Sequence, residues 1–395
     1  MTVWDHLVGQ RPAIAALAQA AGTGGARPQG MTHAWLFTGP PGSGRSNAAI
    51  AFAAALQCEE GGCGTCHACR TVLAGSHADV AVIRTQRLSI GVDQVRDLVR
   101  RSALAPVGRR WQILVVEDAD RLTDQAFNAL LKAIEEPTER TVWMLCAPTV
   151  EDVLPTIRSR CRLVTLSTPA TADVAAFLER TAAVDPTLAL RAARASQGHI
   201  GRAKALATDP DTRQRRAEVV ALPGRLRSLG AAMAAATMLS ETTKAEADAI
   251  TVELDAVERA DLDAAYGVVE RGRKPREYAP ARAALEREQK SRAKRRHLDV
   301  VDRALTDLVS VYRDAVAVGL GVGTELVNEE LREQVEALAE SGGPEANLAR
   351  IEVVFAAREQ MLEFNVPVML ALESMMVGLL PRRDGAGAPT GRNVR

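Results

Sequence analysis

Aromatic residues are scarce in this chain: four Trp, three Tyr and six Phe make up 3% of 395 residues. A platform that stacks successive bases needs several rings in register, so that mode of single-strand binding is excluded. A charge of one sign is equally missing. Lys plus Arg and Asp plus Glu both number 49, giving a formal net charge of zero. That excludes a protein that grips a polyanion over its whole surface. Long apolar runs are absent too. The longest, residues 366–380, is interrupted by Glu373 and is shorter than a membrane span. The opening, residues 1–17, contains Asp5, Arg11 and Pro12 and lacks the basic-then-apolar order of a signal peptide. The expectation is a soluble cytoplasmic chain with no membrane partner, long enough for two or three domains.

Cysteine is used sparingly, and the six residues divide cleanly. Cys146 and Cys161 stand alone, while Cys58, Cys63, Cys66 and Cys69 form a C-x4-C-x2-C-x2-C cluster. Gly61, Gly62 and Gly64 supply tight turns within it. In a reducing compartment such a cluster points to a metal and not to disulfides. Four thiolates close a tetrahedron around zinc with no open position, which makes the site structural. An iron–sulfur cluster is the alternative, since short C-x2-C-x2-C runs also hold those.

The stretch with the strongest chemical content is Gly39-Pro40-Pro41-Gly42-Ser43-Gly44-Arg45-Ser46. It follows an apolar, strand-like segment and precedes an Ala-rich, helix-like one. This is a phosphate-binding loop, in which backbone N–H groups and a helix N-terminus converge on phosphate oxygens. Its departure is Arg45, where the pattern has Lys. A planar guanidinium does not replace a compact ammonium inside such a loop. ATP or ADP binding fits this composition, and Arg45 argues against turnover.

Further along, apolar segments at 80–83, 111–116, 142–146 and 163–166 alternate with helical patterns at 90–103 and 123–136. Alternation of this kind predicts a parallel sheet covered on both faces, with the loop at the carboxyl end of a strand. The strand at 111–116 runs into Glu117-Asp118. Such a pair either holds magnesium and the attacking water beside a phosphate loop or forms a solvated turn. Near residue 200, Arg202 either reaches back over a bound phosphate or is an exposed helix residue.

From about residue 211 strand signals are few. Leu298, Val301, Leu305, Leu308 and Tyr312 mark one face of a long helix. Ile351, Val354, Phe355, Leu362 and Phe364 suggest another. The run 271–296 is strongly basic, which reads as a solvated helix face or as a contact for DNA phosphates. The Gly/Pro/Arg-rich end, 381–395, reads as a disordered tail.

Residues 127–137, Phe-Asn-Ala-Leu-Leu-Lys-Ala-Ile-Glu-Glu-Pro, resemble a signature of the bacterial clamp-loader AAA+ proteins. So does Ser159-Arg160-Cys161, preceded by Leu154-Pro155-Thr156-Ile157-Arg158. Val8-Gly9-Gln10, the block 33–46 and the four-cysteine insert match the same family. Within it, the altered loop points to the delta-prime branch and away from the gamma/tau ATPases. The resemblance covers roughly residues 1–205 at motif level and the helical remainder more loosely.

The resemblance implies an α/β then all-α architecture. An AAA+ RecA-like parallel sheet domain occupies 1–167 with a zinc module at 58–69. A small helical lid follows at 168–210, and a helical collar for oligomerisation at 211–380. It implies that Arg160 acts in trans on the ATP site of a neighbouring gamma/tau subunit and that Arg202 is a second sensor. It places Cys58, Cys63, Cys66 and Cys69 in the zinc module. The partners implied are gamma/tau and delta subunits in a five-membered ring, the beta sliding clamp, and primed DNA through the complex. Arg45, the order Glu117-Asp118 and Ala147-Pro148 depart from a working ATPase, and nothing reads as a polymerase site. Two other readings are a self-sufficient gamma/tau-type ATPase and a zinc- and DNA-binding adaptor built on 271–296.

Overall fold

A computed structural model of the chain describes residues 2–22, 29–85, 89–108, 110–268 and 275–381. Residues 271–274 of the basic run and 382–395 of the expected tail lie outside the described residues. The chain divides into two compact units, Met1–Pro210 and Asp211–Arg395.

The first unit opens with a 3₁₀ turn, Val3–His6, and then α1 (Arg11–Ala21). The two helical segments are separate. Gly9 is left-handed at φ 69°, and Pro12 belongs at a helix start, where its missing N–H costs nothing. After it come β1 (Ala34–Thr38), α2 (Arg45–Gln57), α3 (His67–Leu73), β2 (Val80–Ile83), α4 (Val92–Ser102) and β3 (Gln112–Val116). Then follow α5 (Asp124–Glu135), β4 (Thr141–Ala147), α6 (Pro155–Arg158) and β5 (Arg162–Thr165).

The five strands form one sheet in the order β2-β3-β4-β1-β5, every pair parallel. Alternate residues of each strand feed opposite cores. Trp35, Phe37, Val115 and Met144 pack with Phe52 and the α2 alanines on one face. Leu36, Leu114, Trp143 and Leu145 pack with Val95, Leu130 and Ile134 of α4 and α5 on the other. Because both faces are covered, the strands are apolar throughout and do not alternate with polar residues. The alanine run of α2 is buried on nearly all sides, and its small side chains let the helix lie close to the sheet.

The carboxyl ends of the central strands are aligned by register, with Thr38 opposite Ala147 and Val116 opposite Leu145. The phosphate loop, Glu117-Asp118 and Pro148 are therefore brought to one edge, and the Gly39 amide donates to the Pro148 carbonyl at 3.1 Å. Three helices complete the unit: α7 (Thr171–Ala182), α8 (Pro186–Ser196) and α9 (Ile200–Thr208), around a core of Val174, Phe177, Leu178, Ala192 and Leu206. Val8 belongs to that core, and Gln10 locks it in place. Its Nε2 donates to the Ser167 carbonyl at 2.7 Å, and its Oε1 accepts from the Ser167 amide at 3.1 Å.

The second unit is helical in its described residues: α10 (Pro210–Val220), α11 (Leu222–Arg225), α12 (Leu229–Ala265), α13 (Tyr278–Gly319), α14 (Arg332–Leu362) and α15 (Val368–Gly378). Leu298, Val301, Leu305, Leu308 and Tyr312 are buried on one face of α13, as their spacing predicts. The second apolar stripe behaves otherwise. Val354 is buried, but Phe355 and Leu362 on α14 and Phe364 beyond it are exposed. The basic run also departs from a uniformly solvated face. Arg292 is 5% exposed and pairs with Asp255 and Glu258 of α12, because it lies on the side of α13 that meets that helix. No helix among the described residues is long and apolar enough to cross a membrane.

Candidate nucleotide loop and metal centre

The phosphate loop runs from the end of β1 into the first turn of α2, so the helix dipole and free amides face whatever the loop encloses. Gly42 is held at φ 81° with its α-carbon against the imidazole of His199. The Ile200 amide donates to the Gly42 carbonyl at 3.3 Å, so the start of α9, which carries Arg202, is docked on the loop. His199 caps that helix through Nδ1, which accepts from the Arg202 amide at 3.2 Å.

Arg45 folds back across its own loop. Its Nη1 donates to the Gly39 carbonyl at 2.9 Å. Ser43 is 3% exposed, and its hydroxyl has no partner among the described residues. Buried hydroxyls are nearly always satisfied, so this oxygen suits an added phosphate or water. The loop thus leads into the start of α2 with a buried, unpartnered Ser43 hydroxyl and a guanidinium where the motif places an ammonium.

Glu117 is engaged elsewhere. Arg84, just past β2, grips it with both arms: Nε to Oε2 at 2.7 Å and Nη2 to Oε1 at 3.0 Å. The pair holds the Arg84 guanidinium even more firmly charged than usual. Arg84 had no sequence signal, because only the β2–β3 register brings it beside Glu117. Asp118 lies one residue further on, in the turn leading to Ala119–Arg121. Asp120 is partly buried, which raises its carboxyl above the usual range, opposed by Arg121.

Arg160 lies in the turn between α6 and β5 and is 40% exposed at its side chain. Its Nη2 pairs with Glu135 at 2.8 Å, and its Nη1 donates to the Thr156 carbonyl at 2.7 Å. Cys161 beside it is an inert thiol, its pKa pushed up to about 12 by burial; burial raises Cys146 as well.

The four clustered cysteines come together. Cys58 ends α2, Cys63 lies in the following turns, Cys66 caps α3 and Cys69 lies within it. Their sulfurs all lie within 4.8 Å of one another, and Cys58 Sγ stands 3.7 Å from both Cys63 and Cys66. A disulfide needs about 2 Å between sulfurs. A tetrahedron with metal–sulfur bonds of about 2.3 Å has edges of about 3.8 Å, which the spacing matches. Backbone amides converge on the sulfurs as they do on thiolates: Cys63 N to Cys58 Sγ at 3.4 Å, Cys66 N to Cys63 Sγ at 3.3 Å and Cys69 N to Cys66 Sγ at 3.4 Å. Donors from Thr65 lower the Cys63 thiol to about 6, while burial raises Cys66 and Cys69. The set is able to hold one metal ion. Gly62, at φ 112°, also anchors the chain start, since its carbonyl accepts from the Val3 amide at 3.1 Å.

Residues 15–170 match the family described as "DNA polymerase III, delta subunit". The delta-prime subunit of Pseudomonas aeruginosa is 36% identical over 195 residues, 48% of this chain and 59% of its own length. That of Escherichia coli K12 is 35% identical over 181 residues, 44% of this chain and 54% of its own. Residues 15–170 of this chain thus resemble subunits of the DNA polymerase III clamp loader.

Both branches of the clamp-loader family are represented among its relatives. The gamma/tau subunit of Mycobacterium tuberculosis H37Rv is 36% identical over 160 residues, 39% of this chain and 27% of its own length. The chain therefore spans little more than half of these delta-prime relatives and about a quarter of the gamma/tau protein. The clamp-loader likeness lies in the unit that carries the loop, the metal cluster and Arg160.

Proposed function

We propose that this chain is a delta-prime-type subunit of a DNA polymerase III clamp loader. In this reading it joins gamma/tau and delta subunits in a five-membered ring that uses ATP to place the beta sliding clamp on primed DNA. It does not hydrolyse ATP itself. The observation that carries this is the engagement of Arg45 with the Gly39 carbonyl. A cation that folds onto its own loop is not aimed at a terminal phosphate, and Glu117, where a magnesium ligand belongs, is already neutralised by Arg84. Any ATP or ADP in the loop would be held by backbone amides, Ser43 and Ser46, with Arg202 nearby, and would serve structure. Zinc on Cys58, Cys63, Cys66 and Cys69 would stiffen the turn that follows α2.

Arg160 supplies the chemistry, as a guanidinium donated to the ATP site of the adjacent gamma/tau subunit. There it stabilises charge on the transferring phosphoryl group. Its pair with Glu135 does not prevent this. Both side chains are about two-fifths exposed, and such surface pairs contribute only about 0–1 kcal/mol. The finger can be released at little cost.

The test is clamp- and primer-stimulated ATP hydrolysis by the reconstituted complex, with wild-type chain and with Arg160→Ala. Loss of stimulated turnover with assembly intact is the expected result; unchanged turnover overturns the role in trans. A second reading, an active gamma/tau-type ATPase, is favoured by the gamma/tau relatives at equal identity. It requires hydrolysis by the isolated wild-type chain, or at the least by Arg45→Lys. We expect neither, because Arg84 still holds Glu117.

A further inference from the structure

The paired helices α12 and α13 outrun the core of the second unit. Buried apolar residues of that core end at Leu239 on α12 and resume at Leu298 on α13. Among the described residues, none between these two joins a hydrophobic core cluster. From Leu298 back to Tyr278, the start of α13, is about 30 Å of helix at 1.5 Å per residue. The two helices form an arm of that length.

Polar ties hold the arm together. Arg292 Nη1 donates to Glu258 at 2.8 Å, and Gln289 Nε2 donates to the Asp255 carbonyl at 3.1 Å. Arg259 Nε donates to Gln289 at 3.0 Å, and the Tyr278 hydroxyl donates to Asp263 at 2.6 Å. These ties cost desolvation that an apolar seam would avoid. Charge is unevenly divided between the two helices. The α12 side carries Asp248, Glu253, Asp255, Glu258, Asp261 and Asp263 against Arg259. The α13 side carries Arg287, Lys290, Arg292, Lys294, Arg295 and Arg296, with Glu286 and Glu288 beside Arg287.

Arg287, Lys290 and Lys294 stand at i, i+3 and i+7, hence on one face of α13, opposite the face where Gln289 and Arg292 meet α12. All three are exposed. Arg287 and Lys290 have no ion pair among the described residues; Lys294 donates only to the Asn365 side chain, at 3.0 Å. Along the helix these charges are spaced by about 4.5 and 6 Å. A strand of phosphates offers charges at a similar interval, about 3.4 Å of rise each in duplex DNA.

We infer that the α13 face of this arm is a contact site for the phosphate backbone of duplex DNA. The acidic α12 side makes the contact one-sided, since it repels the polyanion that α13 attracts. With a net charge of zero, the rest of the chain adds little general attraction. The contact reads charge and not sequence, because no aromatic ring or amide fork belongs to the stripe. This inference stands apart from the clamp-loader reading, because arm and charge belong to the single chain.

The experiment is fluorescence anisotropy of a labelled 30-base-pair duplex titrated with the full chain at several salt concentrations. Three phosphate contacts predict a log–log salt slope of about −2.7, or about 40-fold weaker binding at 200 mM than at 50 mM salt. The combined variant Arg287→Gln, Lys290→Gln and Lys294→Gln should lose that binding at least tenfold while melting at the wild-type temperature. A matched triple on α12, Asp248→Asn, Glu253→Gln and Asp261→Asn, should bind as well as wild type or better. Absence of binding by the wild-type chain, or equal binding by the α13 variant, overturns the inference. So does displacement of the labelled duplex by polyglutamate at a lower charge concentration than unlabelled duplex requires, which would make the surface an acidic-protein site instead.

Discussion

His199 lies directly on Gly42: a β-carbon there would stand 2.2 Å from the imidazole Cγ and 2.6 Å from the His199 α-carbon. One contact thus ties the phosphate loop to the helical segment that follows the sheet. The loop carbonyl and the Ile200 amide reinforce it from the backbone.

Gly42→Ala should therefore be costly on two counts. Its φ of 81° strains an L residue by about 1 kcal/mol, and the new methyl must displace His199 together with its backbone. We expect a loss of about 2–4 kcal/mol in the full chain, read as a fall in the thermal midpoint of the first unit. His199→Gly in the same background should recover only the part due to the ring. A silent Gly42→Ala would mean that α9 is not docked on the loop in solution.

Metal analysis of the purified chain should return one zinc per molecule and no iron. Cys66→Ser should lose the metal, since it removes one of four thiolates and the sulfur that caps α3. Because Val3 is bonded to Gly62, hydrogen exchange at the Val3 amide should speed up on chelation. Iron with visible charge-transfer absorption would replace zinc by a cluster. A chain that retains zinc without Cys66 would exclude the four-thiolate site.

Arg292→Ala should weaken the arm by about 1–3 kcal/mol, below the full cost of breaking a buried pair, because Glu258 keeps 30% of its exposure. The effect has a defined pH window. Arg292 lowers the Glu258 pKa in the folded state. Its stabilisation is then complete above the ordinary glutamate value of about 4.3 and is lost as pH falls through the depressed folded value. Wild type and Arg292→Ala should differ at pH 7 and converge in acid. A difference that persists undiminished in acid would assign the loss to packing of the arginine stem.

Much of the first unit was legible because its signals are local. Strand runs, the glycine loop, and the spacing of Cys58, Cys63, Cys66 and Cys69 each lie within a dozen residues, where periodicity and turn chemistry decide structure. The second unit was legible only in part. Helical periodicity locates α13 and α14, but it does not say which apolar stripe finds a partner. Phe355 and Leu362 share the spacing of a core face, yet they remain exposed. Arg292 was equally opaque: within a run of like charges, its burial follows from the acidic residues of a helix some 34 positions away.

By itself the sequence determined the chemistry on offer: four thiolates at knuckle spacing, an amide-rich loop carrying Arg45, an arginine in Ser159-Arg160-Cys161, and a basic run at 271–296. Backbone propensity and short-range sterics are sufficient for that. Only the tertiary structure decided which groups meet. Strand register put Arg84 on Glu117, the turn before α9 put His199 on Gly42, and the pairing of α12 with α13 buried Arg292 while leaving Arg287 and Lys290 free. Such pairings depend on loop closure and on the packing of surfaces distant in the chain, and no local window of residues contains them.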